Sequence, residues 1–209
     1  LVQPYVDALC RELTEIRALA DRCGLRIRTF YIGGGTPTSL SAAQLEQLMA
    51  HIAATFDLGG LAEYTVEAGR PDCTDAEKLR ILKQYGATRI SINPQTFSDQ
   101  VLRNIGRRHT AQDIIDCFAA ARAAGHDNIN MDLIAGLPGD TVEGFAGSLE
   151  QAVALDPENI TVHTLTLKRA SNLVVEHRAA DYDDVAAMLE RCTLLQRAGY
   201  APYYLYRQK

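Results

Sequence analysis

The sequence contains no tryptophan, and none of its 209 residues belong to an apolar run long enough to span a bilayer. Its start lacks the basic-then-apolar pattern of a secretory signal, so a cytoplasmic location and no membrane partner are expected. A basic excess is missing too: 21 Lys and Arg face 26 Asp and Glu, a net charge of -5. That balance argues against general nucleic-acid affinity. The most consequential absence is of closely spaced cysteines. Cys10, Cys23, Cys73, Cys117 and Cys192 lack the two- or three-residue gaps that metal and iron–sulfur sites need. Their odd number and wide spacing speak against a disulfide framework. Cys10, Cys117 and Cys192 fall in helical apolar patterns and read as small core residues. No metal site is expected in this chain.

What is present is a regular alternation of elements. Leu1–Arg22 repeats apolar residues at helical spacing, with Gly24 as its C-cap. Helices are also expected over Ser41–Phe56, Thr74–Tyr85, Asp99–Ile105, Ala111–Ala124, Val142–Leu155 and Tyr182–Ala198. Ser41 with Gln44, and Thr74 with Glu77, have the spacing of capping boxes. Strands are expected at Arg26–Ile32, Glu63–Ala68, Arg89–Asn93, Asn128–Ile134, Asn159–Leu165 and Tyr203–Tyr206. Strand and helix in turn imply an α/β fold with a parallel sheet, either a barrel or an open doubly wound sheet. No linker or low-complexity segment interrupts it, so one domain over residues 1–209 is the expectation.

Two features point to a ligand. In Tyr31-Ile32-Gly33-Gly34-Gly35-Thr36-Pro37-Thr38, three glycines at a strand's C-terminal end leave bare backbone for a bound molecule. The loop matches neither the triphosphate nor the dinucleotide spelling, and a tight turn capped by Ser41 would need no ligand. The second feature is a polar face on successive strands: Thr65 and Glu67, then Ser91, Asn93 and Gln95, then Asn130 and Asp132. Parallel strands buried on both sides are normally apolar throughout, so a polar cavity at the strands' C-terminal ends is expected. Asp132 could accept two hydroxyls of a ribose. In Arg107-Arg108, a fork of hydrogen bonds to a carboxylate and a solvated helix end fit equally well.

The stretches YIGGGTPTSL, TVEAGRPD, RISINPQTF, IGRRHT and INMDLIAGLPGDT together resemble the radical S-adenosylmethionine (SAM) superfamily. Among its branches they are most similar to the oxygen-independent coproporphyrinogen III dehydrogenases (oxidases). The resemblance implies that Gly34, Gly35 and Thr36 bind the methionine amino group of SAM and that Arg107 pairs with its carboxylate. It implies that Gln95 and Asp132 hold the ribose, that Ile134 packs on the adenine and that Glu67 lines the same site. Lys168 and Arg169 could meet substrate carboxylates or form an ordinary basic loop. The cluster motif C-x-x-x-C-x-x-C and the strand before it are not in this chain. The resemblance therefore implies a partial TIM-like (β/α)6 barrel lacking its first strand and cluster loop, incomplete at both ends and inactive alone. The full-length protein would use a [4Fe–4S] cluster, SAM and an electron donor. Its small-molecule substrate would be coproporphyrinogen III, whose propionate side chains undergo radical oxidative decarboxylation in haem biosynthesis. The alternatives are a haem-binding or haem-chaperone protein of the related branch, and a SAM-binding protein without a cluster. For a haem protein, His163 is the histidine to consider, although a satisfied core role suits it better.

Overall fold

The computed structural model describes residues 1–165 and 182–204. Lys168 and Arg169 lie outside the described residues. Five strands, β1 (Thr29–Ile32), β2 (Glu63–Glu67), β3 (Arg89–Gln95), β4 (Ile129–Ala135) and β5 (Asn159–Thr164), form one parallel sheet in the order β1-β2-β3-β4-β5. Helices α1 (Val2–Arg22), α2 (Ala42–Thr55), α3 (Ala76–Gln84), α4 (Asp99–Asn104), α5 (Ala111–Ala123), α6 (Val142–Ala154), α7 (Tyr182–Arg191) and α8 (Thr193–Arg197) alternate with them. Among the described residues no helix is long and apolar enough to cross a membrane. The chain divides into two compact units, residues 1–92 with 116–129, and residues 93–115 with 130–209.

In the first unit, α1 ends as its sequence implies. Gly24 takes φ 63°, and Leu25 N–H reaches back to the Ala20 carbonyl at 2.8 Å. The Ser41–Gln44 capping box forms in full: Gln44 N–H donates to Ser41 Oγ at 3.3 Å and Ser41 N–H to Gln44 Oε1 at 3.1 Å. Behind that start, α2 buries Leu45, Leu48, Met49 and Ile52. The register pairs Phe30 with Tyr64 and Tyr31 with Thr65. Phe30 packs edge-on to Tyr64 and to Phe56 just past α2, with ring centroids 5.4 and 5.1 Å apart, and the Tyr64 hydroxyl bonds Met49 Sδ at 3.2 Å. Phe30 and Tyr64 thus face α2, which puts Tyr31 and Thr65 on the opposite face of the sheet.

The start of α3 differs from expectation. Its N-cap is Asp75, whose carboxylate accepts from Lys78 N–H at 2.9 Å, rather than Thr74. Asp is as good a cap as Ser and better than Thr, and the Thr74 hydroxyl is engaged elsewhere, with Thr38 Oγ1 and the Ala68 carbonyl.

In the second unit, α6 opens on Thr141, which accepts from Gly144 N–H at 2.9 Å, and buries Phe145, Leu149 and Ala152. Met131 and Leu133 of β4 are fully buried. The helix expected over Tyr182–Ala198 is two helices. At the break, Cys192 N–H donates to the Leu189 carbonyl and Leu195 N–H to the Cys192 carbonyl, each at 3.0 Å. These tighter i→i+3 bonds interrupt the α-helical ladder, and the Thr193 hydroxyl donates to the Glu190 carbonyl at 3.0 Å. Tyr203 and Tyr204 lie in no strand, and the rest of that expected strand is outside the described residues.

Candidate functional site

The glycine loop leaves β1 in the first unit. At Gly34 (φ 97°) and at Gly35, a Cβ would meet nothing within 4 Å. Those two exposed residues form the bare ledge expected of the loop. Gly33 does not belong to the ledge. A Cβ there would overlap the Tyr31 ring and stand 3.1 Å from the Glu67 carboxyl carbon. The Tyr31 hydroxyl donates to Glu67 Oε1. The space above Gly33 is therefore filled by the protein's own side chains.

Beyond the ledge, Thr36 holds φ 56°, in the left-handed region, before Pro37–Ser39 form a 3-10 turn. The far limb of the loop is pinned. Thr38 is fully buried, and its hydroxyl accepts from Thr74 Oγ1 at 2.9 Å. Its carbonyl accepts from Lys78 Nζ at 2.8 Å, and the same ammonium donates to the Cys73 carbonyl at 2.8 Å. The sequence singled out neither Lys78 nor this use of Thr74. The signal was available only as spacing: a Lys three residues past an Asp cap reads as a surface helix position until the fold brings Thr38 to it.

In the second unit, β3 runs through Pro94 to Gln95, which is buried and also left-handed at φ 68°. Asn93 has its Oδ1 buried without a hydrogen-bond partner among the described residues. On β4 the polar face is real: Asn130 Nδ2 donates to Asp132 Oδ1 at 2.7 Å, and Thr161 Oγ1 of β5 donates to Asn130 Oδ1 at 2.9 Å. The register sets Asp132 beside Thr161 and Ile134 beside His163. His163 is not a core histidine, since half of its side chain is exposed and its Nε2 stands 4.0 Å from Asp132 Oδ1. Strand β5 is exposed at His163 and Thr164, so among the described residues the imidazole has no apolar layer to enter. Asp132, about one-fifth exposed, and half-buried Ile134 both keep some accessible surface. Arg107 follows Gly106 (φ 73°), and its N–H caps α4 on the Leu102 carbonyl at 2.9 Å. Arg107 is half-buried whereas Arg108 is exposed.

The cysteines do not suit a cluster. Cys10 and Cys117 are buried and Cys192 is half-buried. Burial pushes all three thiols up, Cys117 to about 12, which opposes the thiolate that iron requires. Among the described residues, no group of three or more His, Cys, Asp or Glu could hold a metal ion.

The Radical SAM superfamily model matches residues 10–152. This chain belongs to the radical SAM superfamily. Within it, the chain is 44% identical over 213 residues to the oxygen-independent coproporphyrinogen-III oxidase-like protein HemZ of Bacillus subtilis, a match covering all of this chain and 42% of HemZ. It is 42% identical over 168 residues to the heme chaperone HemW of the same organism, covering 80% of this chain and 44% of HemW. Among solved structures, coproporphyrinogen III oxidase (HemN) from Escherichia coli, a radical SAM enzyme, superposes with a TM-score of 0.83 at 28% identity. That likeness covers 95% of this chain and 46% of HemN. The radical SAM chain thus spans less than half the length of these relatives. They carry two different functional names, oxidase and haem chaperone.

Proposed function

We propose that this chain is the SAM-binding core of an oxygen-independent coproporphyrinogen III dehydrogenase. The observation that supports SAM binding most is backbone strain. Among the described residues, three non-glycines have left-handed φ, namely Thr36, Gln95 and Asp156. Two of those three are residues that the family resemblance assigns to SAM. Such a conformation costs roughly 1–2 kcal/mol per residue, and strain of this kind gathers at ligand-binding positions.

In this reading, carbonyls of the Gly34–Gly35 ledge and the Thr36 hydroxyl accept hydrogen bonds from the methionine ammonium. Arg107 pairs with the methionine carboxylate through its guanidinium fork. Gln95 and Asp132 accept from the ribose hydroxyls, and Ile134 offers the adenine an apolar surface. Glu67 adds a carboxylate beside the ledge. When bound, SAM with the family's [4Fe–4S] cluster supplies the radical chemistry. The cysteines of this chain do not fit that cluster, so the chain's own share is to bind and orient SAM and to exclude water.

The dehydrogenase reading rests on the HemZ match, which extends over the whole chain. A haem-chaperone reading has its own support in the HemW match and in half-exposed His163. The deciding experiment uses reconstituted full-length protein. Formation of 5′-deoxyadenosine from SAM together with CO2 release from coproporphyrinogen III is the expected result. Saturable haem binding without porphyrinogen turnover would overturn the dehydrogenase reading in favour of the chaperone.

A further inference from the structure

Tyr31 is 61% exposed, yet its phenol is not idle. The register places Tyr31 beside Thr65. Glu67 lies two residues beyond Thr65, so these three share one face of the sheet, and Gly33 follows just past the end of β1. Along that face the Tyr31 ring lies over Gly33 and its hydroxyl reaches Glu67 Oε1. A hydrogen bond at so exposed a position contributes little to folding. The ring adds little to the core either. Stability therefore does not account for a device that also crowds position 33.

We infer that Tyr31 is a positioning residue that aims the Glu67 carboxylate at the ligand seated on the Gly34–Gly35 ledge. Released from Tyr31, Glu67 would sample several staggered rotamers beside an open loop. Bound to it, Oε1 is taken by the phenol proton, and Oε2 is left to accept from the ligand's ammonium or a hydroxyl. The phenol contributes direction rather than charge. Gly33 serves the same end by clearing room for the ring. The inference rests on the SAM reading of this loop.

The test measures the SAM dissociation constant of full-length protein by titration calorimetry, with the unfolding midpoint of every variant measured alongside. Wild type should bind. Tyr31→Phe should bind about tenfold more weakly with an unchanged unfolding midpoint, and should add no further loss in a Glu67→Ala background. Gly33→Ala should reproduce the loss by displacing the ring, and should cost nothing extra once Tyr31 is already Ala. Wild-type affinity in Tyr31→Phe, or the same loss with and without Glu67, would overturn the inference while leaving SAM binding intact. A wild-type protein that fails to bind SAM would overturn the SAM reading and this inference together.

Discussion

Thr36 and Gln95 illustrate how a single residue can be set against its own stability. Each holds a left-handed backbone that a side chain resists. Thr36→Gly should therefore raise the unfolding free energy by up to about 1 kcal/mol while weakening SAM binding about tenfold, since the hydroxyl goes with the strain. Chemical denaturation and calorimetry on the same samples check both halves. His126 makes a different prediction. Burial lowers its pKa below the ordinary 6.5, only partly opposed by the bond from its Nε2 to the Leu79 carbonyl at 2.9 Å. As pH falls, the unfolded chain takes up the proton first. Stability is thus full above about pH 6.5 and declines as pH drops below that value toward the folded-state pKa. Thermal unfolding between about pH 8 and pH 5.5 should show this decline, and His126→Gln, which keeps a donor for Leu79, should flatten it. The sequence marked Thr36 and Gln95 as polar residues in suggestive places. It held no sign of their φ. Nor did it distinguish His126 from His163, because which of them is covered is decided by packing on other elements.

At the scale of elements, the loops next to the candidate site are held by side chains that local patterns do not reveal. Lys78 bridges two carbonyls from separate segments while only 13% of its side chain is exposed. Lys78→Met would leave both carbonyls without their donor, destabilising the protein by about 1–3 kcal/mol. It should also weaken SAM binding by freeing the limb beyond the ledge. In the second unit, buried Ser148 of α6 plays a comparable part: its hydroxyl accepts from Phe97 N–H at 3.0 Å and donates to the Gly144 carbonyl at 3.1 Å. Ser148→Ala should cost about 1–3 kcal/mol in urea unfolding because the Phe97 N–H is left buried and unpaired. Where a signal was contained within one turn, the sequence was readable. The Ser41–Gln44 box and the Gly24 cap formed as their spacing required, since both partners sit on the same short stretch of backbone. The α3 cap slipped by one residue because Thr74 had a better use across the fold. The break at Cys192 left no trace in an unbroken helical pattern of apolar residues.

For the whole molecule, alternation of strand and helix was enough to read a parallel α/β sheet, and the order of its motifs was enough to read the family. Composition alone would have stopped at an ordinary α/β protein. The polar strand faces were visible because their period of two is strict, as in Asn130 and Asp132 against Met131 and Leu133. The cluster is the other molecular question. With its thiols dispersed and mostly covered, this 209-residue chain by itself should show no iron–sulfur charge-transfer absorption after anaerobic incubation with iron and sulfide. Appearance of a stable visible band would mean that the dispersed cysteines can be gathered after all.

The ring of Tyr31 lying in the space above Gly33 has an evolutionary corollary. The two positions are coupled: a lineage that gains a side chain at 33 must either push the exposed ring at 31 off Glu67 or trade that aromatic for something smaller. A pairwise constraint of that kind would appear in a deep alignment as covariation between alternate residues of one strand end. It would be most easily mistaken there for a preference of the ligand, when its origin is steric and lies wholly within the protein.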